Sequence, residues 1–248
     1  MSDFDAGAIR ALVFDVFGTV VDWRSSIVRE GQALSAAKGL RVDWPAFADA
    51  WRAGYRPAMA RATAGGAPGE GAWVDIDTLH REILDGLLPR FGLEGLSDAD
   101  RAHLNLVWHR LDPWPDSVAG LQRLKSRFAI STLSNGNIAL LVDMARRAGL
   151  PWDCVLSAEI VRRYKPDPEV YRMAARLLGV EPGHLLMVAA HPSDLRGAQR
   201  AGLRTAYVPR PLEHGANPHG TAPADALVDD RFDVVADDFV DLARRLGA

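Results

Sequence analysis

The chain is poor in cysteine, has no long apolar run and shows no cluster of basic residues. Cys154 is the only cysteine in 248 residues, so no disulfide can form within the chain, and a reducing compartment, the cytoplasm, is the expected location. The first apolar run, ALVFDVFGTVV, is interrupted by Asp15 and is too short to span a bilayer. Two acids precede it in MSDFDAGAIR, so neither a signal peptide nor an anchor is expected. Lys and Arg number 29 against 32 Asp and Glu, a net charge of -3, and they are spread along the chain. That distribution argues against nucleic acid or an anionic membrane as partner and leaves a small molecule. What the chain does have is 48% hydrophobic residues, enough for one large core or one core with a smaller appended domain.

Short apolar runs rich in β-branched residues alternate with segments of helical length, the pattern of an α/β protein with a mainly parallel sheet. Strands are expected near Ala11 to Asp15, Phe128 to Leu133, Cys154 to Ser157, Leu185 to Ala190, Arg204 to Tyr207 and Asp233 to Val235. More than a hundred residues separate the first two, far beyond an ordinary crossover. Ala46 to Ala62, Ile76 to Phe91 and Asp98 to His109 read as helices within that stretch, and TAGGAPGEGA reads as a flexible loop. An inserted helical cap is therefore expected at about 24–113, with residues 1–23 and 114–248 forming the α/β core and the turn-rich DPWPDS leading back into it.

Ligands of open parallel sheets sit beyond the carboxyl ends of the strands, and polar residues gather there. Asp15 and Thr19 follow the first strand, Ser134 and Asn135 the second, Lys165 the third, and His191 and Asp194 the fourth. A carboxylate ending an apolar strand carries a desolvation cost that a structural turn rarely justifies. Gly18 permits a tight bend behind Asp15 and backbone N–H groups that receive an anion. Thr19 either orients Asp15 or caps the next helix. Lys165 is followed by Pro-Asp-Pro, which fixes its loop and starts a helix, and it is the counter-ion expected to keep Asp15 ionised. Ser134 and Asn135 either donate to a substrate carboxylate or cap the helix starting near Ile138.

FDVFGTVVD, LSNGN, YKPDPEVY and AAHPSDLRGAQRAG, in this order, resemble the four motifs of the haloacid dehalogenase superfamily and in particular its type II 2-haloacid dehalogenases. The resemblance spans the whole chain and implies a doubly wound, Rossmann-like core with a helical cap. It implies Asp15 as nucleophile, Lys165 as the basic residue and Asp194 as the acid that helps position or activate water. Thr19, Arg52, Ser134, Asn135 and Tyr171 match substrate-side positions, with Arg52 meeting the departing halide and Arg56, one turn on, as its rival. Many members carry a Ser-Asn pair after the fourth strand, whereas this chain has alanine and then His191, and Ser193 stands where an aromatic is common. His191, with Trp51, Tyr55 and Trp73, is expected to shape a tight pocket for short acids such as chloroacetate or fluoroacetate.

Phosphatases of the superfamily use an Asp two residues after the nucleophile and a further acid to hold magnesium. Here Phe17 and Ala190 occupy those positions, which leaves too few oxygen ligands for Mg²⁺ and argues against phosphoryl transfer. Halide leaves as an anion and needs no general acid. The expected partners are therefore a 2-haloacid and halide, with no cofactor and no metal, and the resemblance is compatible with a homodimer. Two alternatives stay open: a phosphatase-like hydrolase of the superfamily, and a non-catalytic binding protein that keeps the fold.

Overall fold

A computed structural model describes residues 4–64, 73–216 and 231–248. The chain begins with β1 (Ala11–Phe14), passes through the two-residue β2 (Val21–Asp22), and enters α1 (Trp23–Lys38), α2 (Trp44–Ala64), α3 (Ile76–Phe91) and α4 (Asp98–Asn105). It returns through β3 (Asp112–Pro113) and α5 (Ser117–Lys125) to β4 (Ala129–Ser134), α6 (Ile138–Ala148), β5 (Cys154–Ser157) and α7 (Pro168–Leu178). β6 (Leu185–Ala189), α8 (Pro192–Arg200), β7 (Arg204–Tyr207), β8 (Val234–Val235) and α9 (Phe239–Arg245) complete it.

Among the described residues the main sheet has six strands in the order β5-β4-β1-β6-β7-β8, every pairing parallel. The expected mainly parallel α/β sheet is borne out. β1 is fully buried because it pairs on both edges and is covered on both faces. Its side chains alternate, Leu12 and Phe14 joining one apolar cluster and Ala11 and Val13 the other. The chain runs from β1 toward β4 on one side and from β6 toward β7 on the other, so the crevice between the ends of β1 and β6 is the topological switch point.

The long stretch between β1 and β4 leaves and returns through the antiparallel pair of β2 and β3, Val21 opposite Pro113. α1 within it was not expected from the sequence. Its buried stripe consists of Trp23, Ser26, Ile27 and Gly31, and small Ser26 and Gly31 stand where a helical apolar pattern would announce itself. Gly31 is small because the Trp44 ring lies against it. The helix expected to reach His109 ends at Asn105 and continues as a tighter 3₁₀ segment, Leu106–Arg110. The tighter winding turns Val107, Trp108 and His109 inward together. Of the expected loop at 63–72, residues 63–64 end α2 and the rest lie outside the described residues.

Candidate active site

A cleft of about 400 Å³ opens beyond the ends of β1, β4 and β6, against one side of α2. Asp15 lies at its floor, 7% exposed. Its backbone N–H extends the sheet by donating to Val188 O at 3.0 Å, which fixes the side chain at the strand end. Each carboxylate oxygen has its own set of donors. Lys165 Nζ is 2.9 Å from Oδ1, while Thr19 Oγ1 donates to Oδ2 at 2.7 Å and His191 Nδ1 lies 2.9 Å from the same atom. Burial opposes ionisation of Asp15, but Lys165 and His191 together overcome it and hold the carboxyl far below the usual carboxylate range.

Lys165 is positioned from both ends. Its backbone N–H donates to Asn135 Oδ1 at 2.7 Å, and α7 starts just beyond it with Pro168 in the first turn and Asp167 as N-cap, accepting from Glu169 N at 2.8 Å. Its ammonium bridges Asp15 and Asp194, the second contact being 2.5 Å. Burial disfavours the charge, yet the two carboxylates raise the lysine above its ordinary range. Asp194, in the first turn of α8, also accepts from Tyr171 OH at 2.6 Å. Burial, reinforced by the neighbouring Asp15 charge, raises the Asp194 carboxyl despite Lys165. Asp194 is thus a better proton acceptor than a solvated aspartate.

The residues predicted for the site converge, but several do other work than expected. Thr19 is fully buried and caps no helix; Asp22 is the N-cap of α1. Thr19 instead accepts from Ala190 N at 2.9 Å and points its hydroxyl proton at Asp15. Asn135 is engaged by the Lys165 backbone, and its Nδ2 faces Met59 Sδ at 3.4 Å. Tyr171 serves Asp194. Ser134 lines the cleft, and its Oγ accepts from Gly136 N at 3.1 Å. The helix near Ile138 is capped by neither Ser134 nor Asn135: Asn137 occupies the N-cap position, and its side chain reaches Asp77 at 2.8 Å.

Arg52 and Arg56 both line the cleft. The Arg52 guanidinium lies 4.8 Å from the Tyr55 ring centre and 5.6 Å from that of Trp23, and its Nη1 is buried without a hydrogen-bond partner. Arg56 Nη2 reaches Ser193 Oγ at 3.2 Å. Tyr55 lines the pocket as expected; Trp51 and Trp73 do not. Trp51 is fully buried with its Nε1 donating to His80 O at 2.9 Å, and Trp73 packs on the Tyr164 ring at 4.5 Å. Phe17 lies on the cleft wall, with its ring edge-on to Tyr55 and Trp108.

His191 departs furthest from expectation. Both ring nitrogens face carboxylates: Nδ1 faces Asp15, and Nε2 lies 3.0 Å from each oxygen of Glu213. No N–H is left over for a substrate carboxylate or halide. Burial alone would discharge the ring, but Glu213 and Asp15 push its pKa up to about 10. Glu213, 6% exposed, also accepts from Trp23 Nε1 at 3.0 Å. Burial works against its charge, and His191 outweighs it, holding the carboxyl at about 2. Sequence reasoning missed Glu213. It lies six residues beyond the end of β7, and strand-end loops were the available signal.

This sheet, with an ionised carboxylate at its central strand end and a lysine from a neighbouring loop, is the architecture of the haloacid dehalogenase-like hydrolases. A family model of that description matches residues 9–202, and the chain belongs to that family. Within it, the chain groups with the 2-haloacid dehalogenases. It is 30% identical over 229 residues to (S)-2-haloacid dehalogenase 4A of Burkholderia cepacia, covering 85% of this chain and 91% of that one. Among solved structures, an L-2-haloacid dehalogenase superposes with a TM-score of 0.88 at 45% identity, covering 96% of this chain and 99% of that one. A defluorinating L-2-haloacid dehalogenase gives 0.89 at 44%, covering 97% and 96%. The L-2-haloacid dehalogenase of Xanthobacter autotrophicus with chloropropionic acid covalently bound gives 0.77 at 26%, covering 97% and 99%.

Proposed function

We propose that this protein hydrolyses short 2-haloalkanoic acids, haloacetates among them, to 2-hydroxy acids through an ester on Asp15. The observation that carries the reading is the Asp15 carboxylate itself, held ionised at 2.9 Å from Lys165 and open to a cleft lined by Arg52. In the first step a carboxylate oxygen of Asp15 displaces halide in line from the substrate carbon, and Arg52 receives the leaving anion. Oδ1 is the attacking atom, because Oδ2 already receives two hydrogen bonds. In the second step water attacks Cγ of Asp15 with Asp194 taking its proton. The Cγ–Oδ1 bond then breaks, the departing alkoxide takes the proton back from Asp194, and the regenerated carboxyl releases its proton to solvent.

The relative with covalently bound chloropropionic acid supports the ester, and the defluorinating relative supports extending the substrate range to fluoroacetate. Helices α1 to α4 would serve as the cap, since α2 supplies Arg52, Tyr55 and Arg56 to the cleft. A lone free cysteine fits a cytoplasmic setting.

The test is halide release across C2 to C4 haloacids in EDTA, with p-nitrophenyl phosphate plus Mg²⁺ as the control. Wild-type protein should release halide and Asp15→Asn should not. In single turnover with ¹⁸O-water the label should enter Asp15 first, and a chiral substrate should emerge inverted. Direct labelling of the product would reject the ester. Phosphatase activity without halide release would reject the whole reading.

A further inference from the structure

Asp15, His191, Glu213 and Trp23 form one chain of hydrogen bonds leading from the cleft floor into the interior. Asp15 Oδ2 meets His191 Nδ1 at 2.9 Å, His191 Nε2 meets both Glu213 oxygens at 3.0 Å, and Trp23 Nε1 donates to Glu213 Oε1 at 3.0 Å. Carboxylate oxygens only accept, so each ring nitrogen has to donate, and a singly protonated ring would set a lone pair against one of the carboxylates. A buried glutamate is costly unless it is paired, and Glu213 is pressed under the turn at Gly18 with its charge aimed at the ring. Displacement does not call for Glu213, since Lys165 and the His191 ring paired with Asp15 already hold the nucleophile ionised.

The need arises after the ester forms. Asp15 then loses its negative charge, and an imidazolium held only by Asp15 would lose its stabilising partner. Glu213 keeps that partner in place throughout the cycle. When water attacks Cγ, charge collects on Oδ2, the atom already faced by Thr19 Oγ1 and His191 Nδ1. Donors preset at the position where charge develops lower the barrier without reorganisation.

We infer that Glu213 is a positioning residue that keeps His191 a two-proton donor, and that His191 is a catalytic residue stabilising the oxyanion on Oδ2 as the ester is hydrolysed. This rests on the dehalogenase reading and adds a division of labour to it: Lys165, Arg52 and the His191–Asp15 contact serve displacement, and Glu213 keeps His191 charged for hydrolysis. The proton balance is unchanged, because His191 lends a hydrogen bond and transfers no proton. The charged groups around the ring are Asp15 after β1, Glu213 after β7, Lys165 and Asp194 beside Asp15, and Arg52 from α2, whose charge also acts on Glu213.

The experiment compares wild type with Glu213→Gln and Glu213→Asp, using chloroacetate in rapid-quench and steady-state assays. Halide burst, kcat and the fraction of esterified Asp15, read by mass spectrometry of the quenched enzyme, are followed against pH. In E213Q the burst rate should stay close to wild type while kcat falls about 10–100-fold and the ester accumulates. Its kcat should fall further as pH rises past about 6.5, the ordinary histidine value, because the ring no longer has a permanent counter-charge. E213D should restore part of kcat. Nitrogen-15 NMR of wild type at about pH 8 should show both His191 nitrogens protonated, a readout that needs no variant to fold. A singly protonated ring there, an E213Q kcat equal to wild type, or a loss of kcat without ester accumulation overturns the inference and leaves the dehalogenase reading standing. Wild-type protein that releases no halide from any haloacid defeats that reading and this inference with it.

Discussion

Lys165 Nζ lies 2.9 Å from Asp15 Oδ1, joining residues 150 positions apart in the chain. Lys165, together with His191, holds this buried carboxylate ionised against the opposing effect of burial, as the proposed attack on carbon requires. Replacing Lys165 by Met keeps much of the apolar stem and removes the charge. Turnover should fall by about 10²–10⁴-fold. The acid limb of the kcat/KM profile should move upward in pH, since Asp15 then ionises later. Halide release measured from acid to neutral pH decides this, and an unmoved acid limb would contradict the assignment.

Arg52 presents a buried Nη1 with no protein partner, next to the faces of Tyr55 and Trp23. Under the proposed reaction this N–H is the one expected to receive the leaving halide. Arg52→Lys retains charge but loses the planar stacking and the fixed donor. A fall in kcat/KM of about 10–10³-fold is expected, together with weaker product inhibition by added chloride or bromide. If Arg56→Lys produced those effects and R52K did not, the halide would belong to Arg56.

Gly18 has φ +84°, and a Cβ built on it would lie 2.1 Å from Glu213 Oε1. Gly18→Ala therefore meets both a left-handed backbone penalty, about 1–2 kcal/mol, and a collision with a buried carboxylate. Urea unfolding should show a loss of at least that size. Because the collision displaces Glu213, ester hydrolysis should slow along with it. A variant as stable as wild type would mean that the turn can relax without moving Glu213.

His109 lies between Asp77 of α3 and Asp143 of α6, at 3.0 and 2.8 Å, and so ties α3 to α6. Burial disfavours its charge, but the two aspartates win and raise its pKa above the ordinary histidine value. A raised folded-state pKa means the stabilisation is complete below the unfolded-state value and is lost as pH rises through the folded one. The stability difference between wild type and His109→Gln should thus be larger at about pH 5.5 than at about pH 9. Denaturant titrations of both proteins at the two pH values measure it, and a difference that grows with pH would reverse the assignment.

Much of the sheet was legible because its signals are local. β1 and β6 are short unbroken apolar runs bounded by polar and turn residues, the pattern of strands covered on both faces. The placement of Asp15 followed from the same logic, since it stands just beyond β1, and Lys165 and Asp194 lie in the segments that follow β5 and β6. α1 was not legible, because Ser26 and Gly31 dilute its buried stripe and the reason for Gly31 is a tryptophan on another helix.

By itself, then, the sequence determined the parallel α/β core and the set of strand-end side chains, through backbone pairing and the burial of alternating residues. Only the tertiary structure decided which partners those side chains take. Thr19 turning to Asp15, Tyr171 to Asp194, and His191 to Glu213 are choices made over 4, 23 and 22 positions. Charge pairing inside a low-dielectric cleft depends on distance in space, and that distance is set by how the strands and helices pack, not by spacing along the chain.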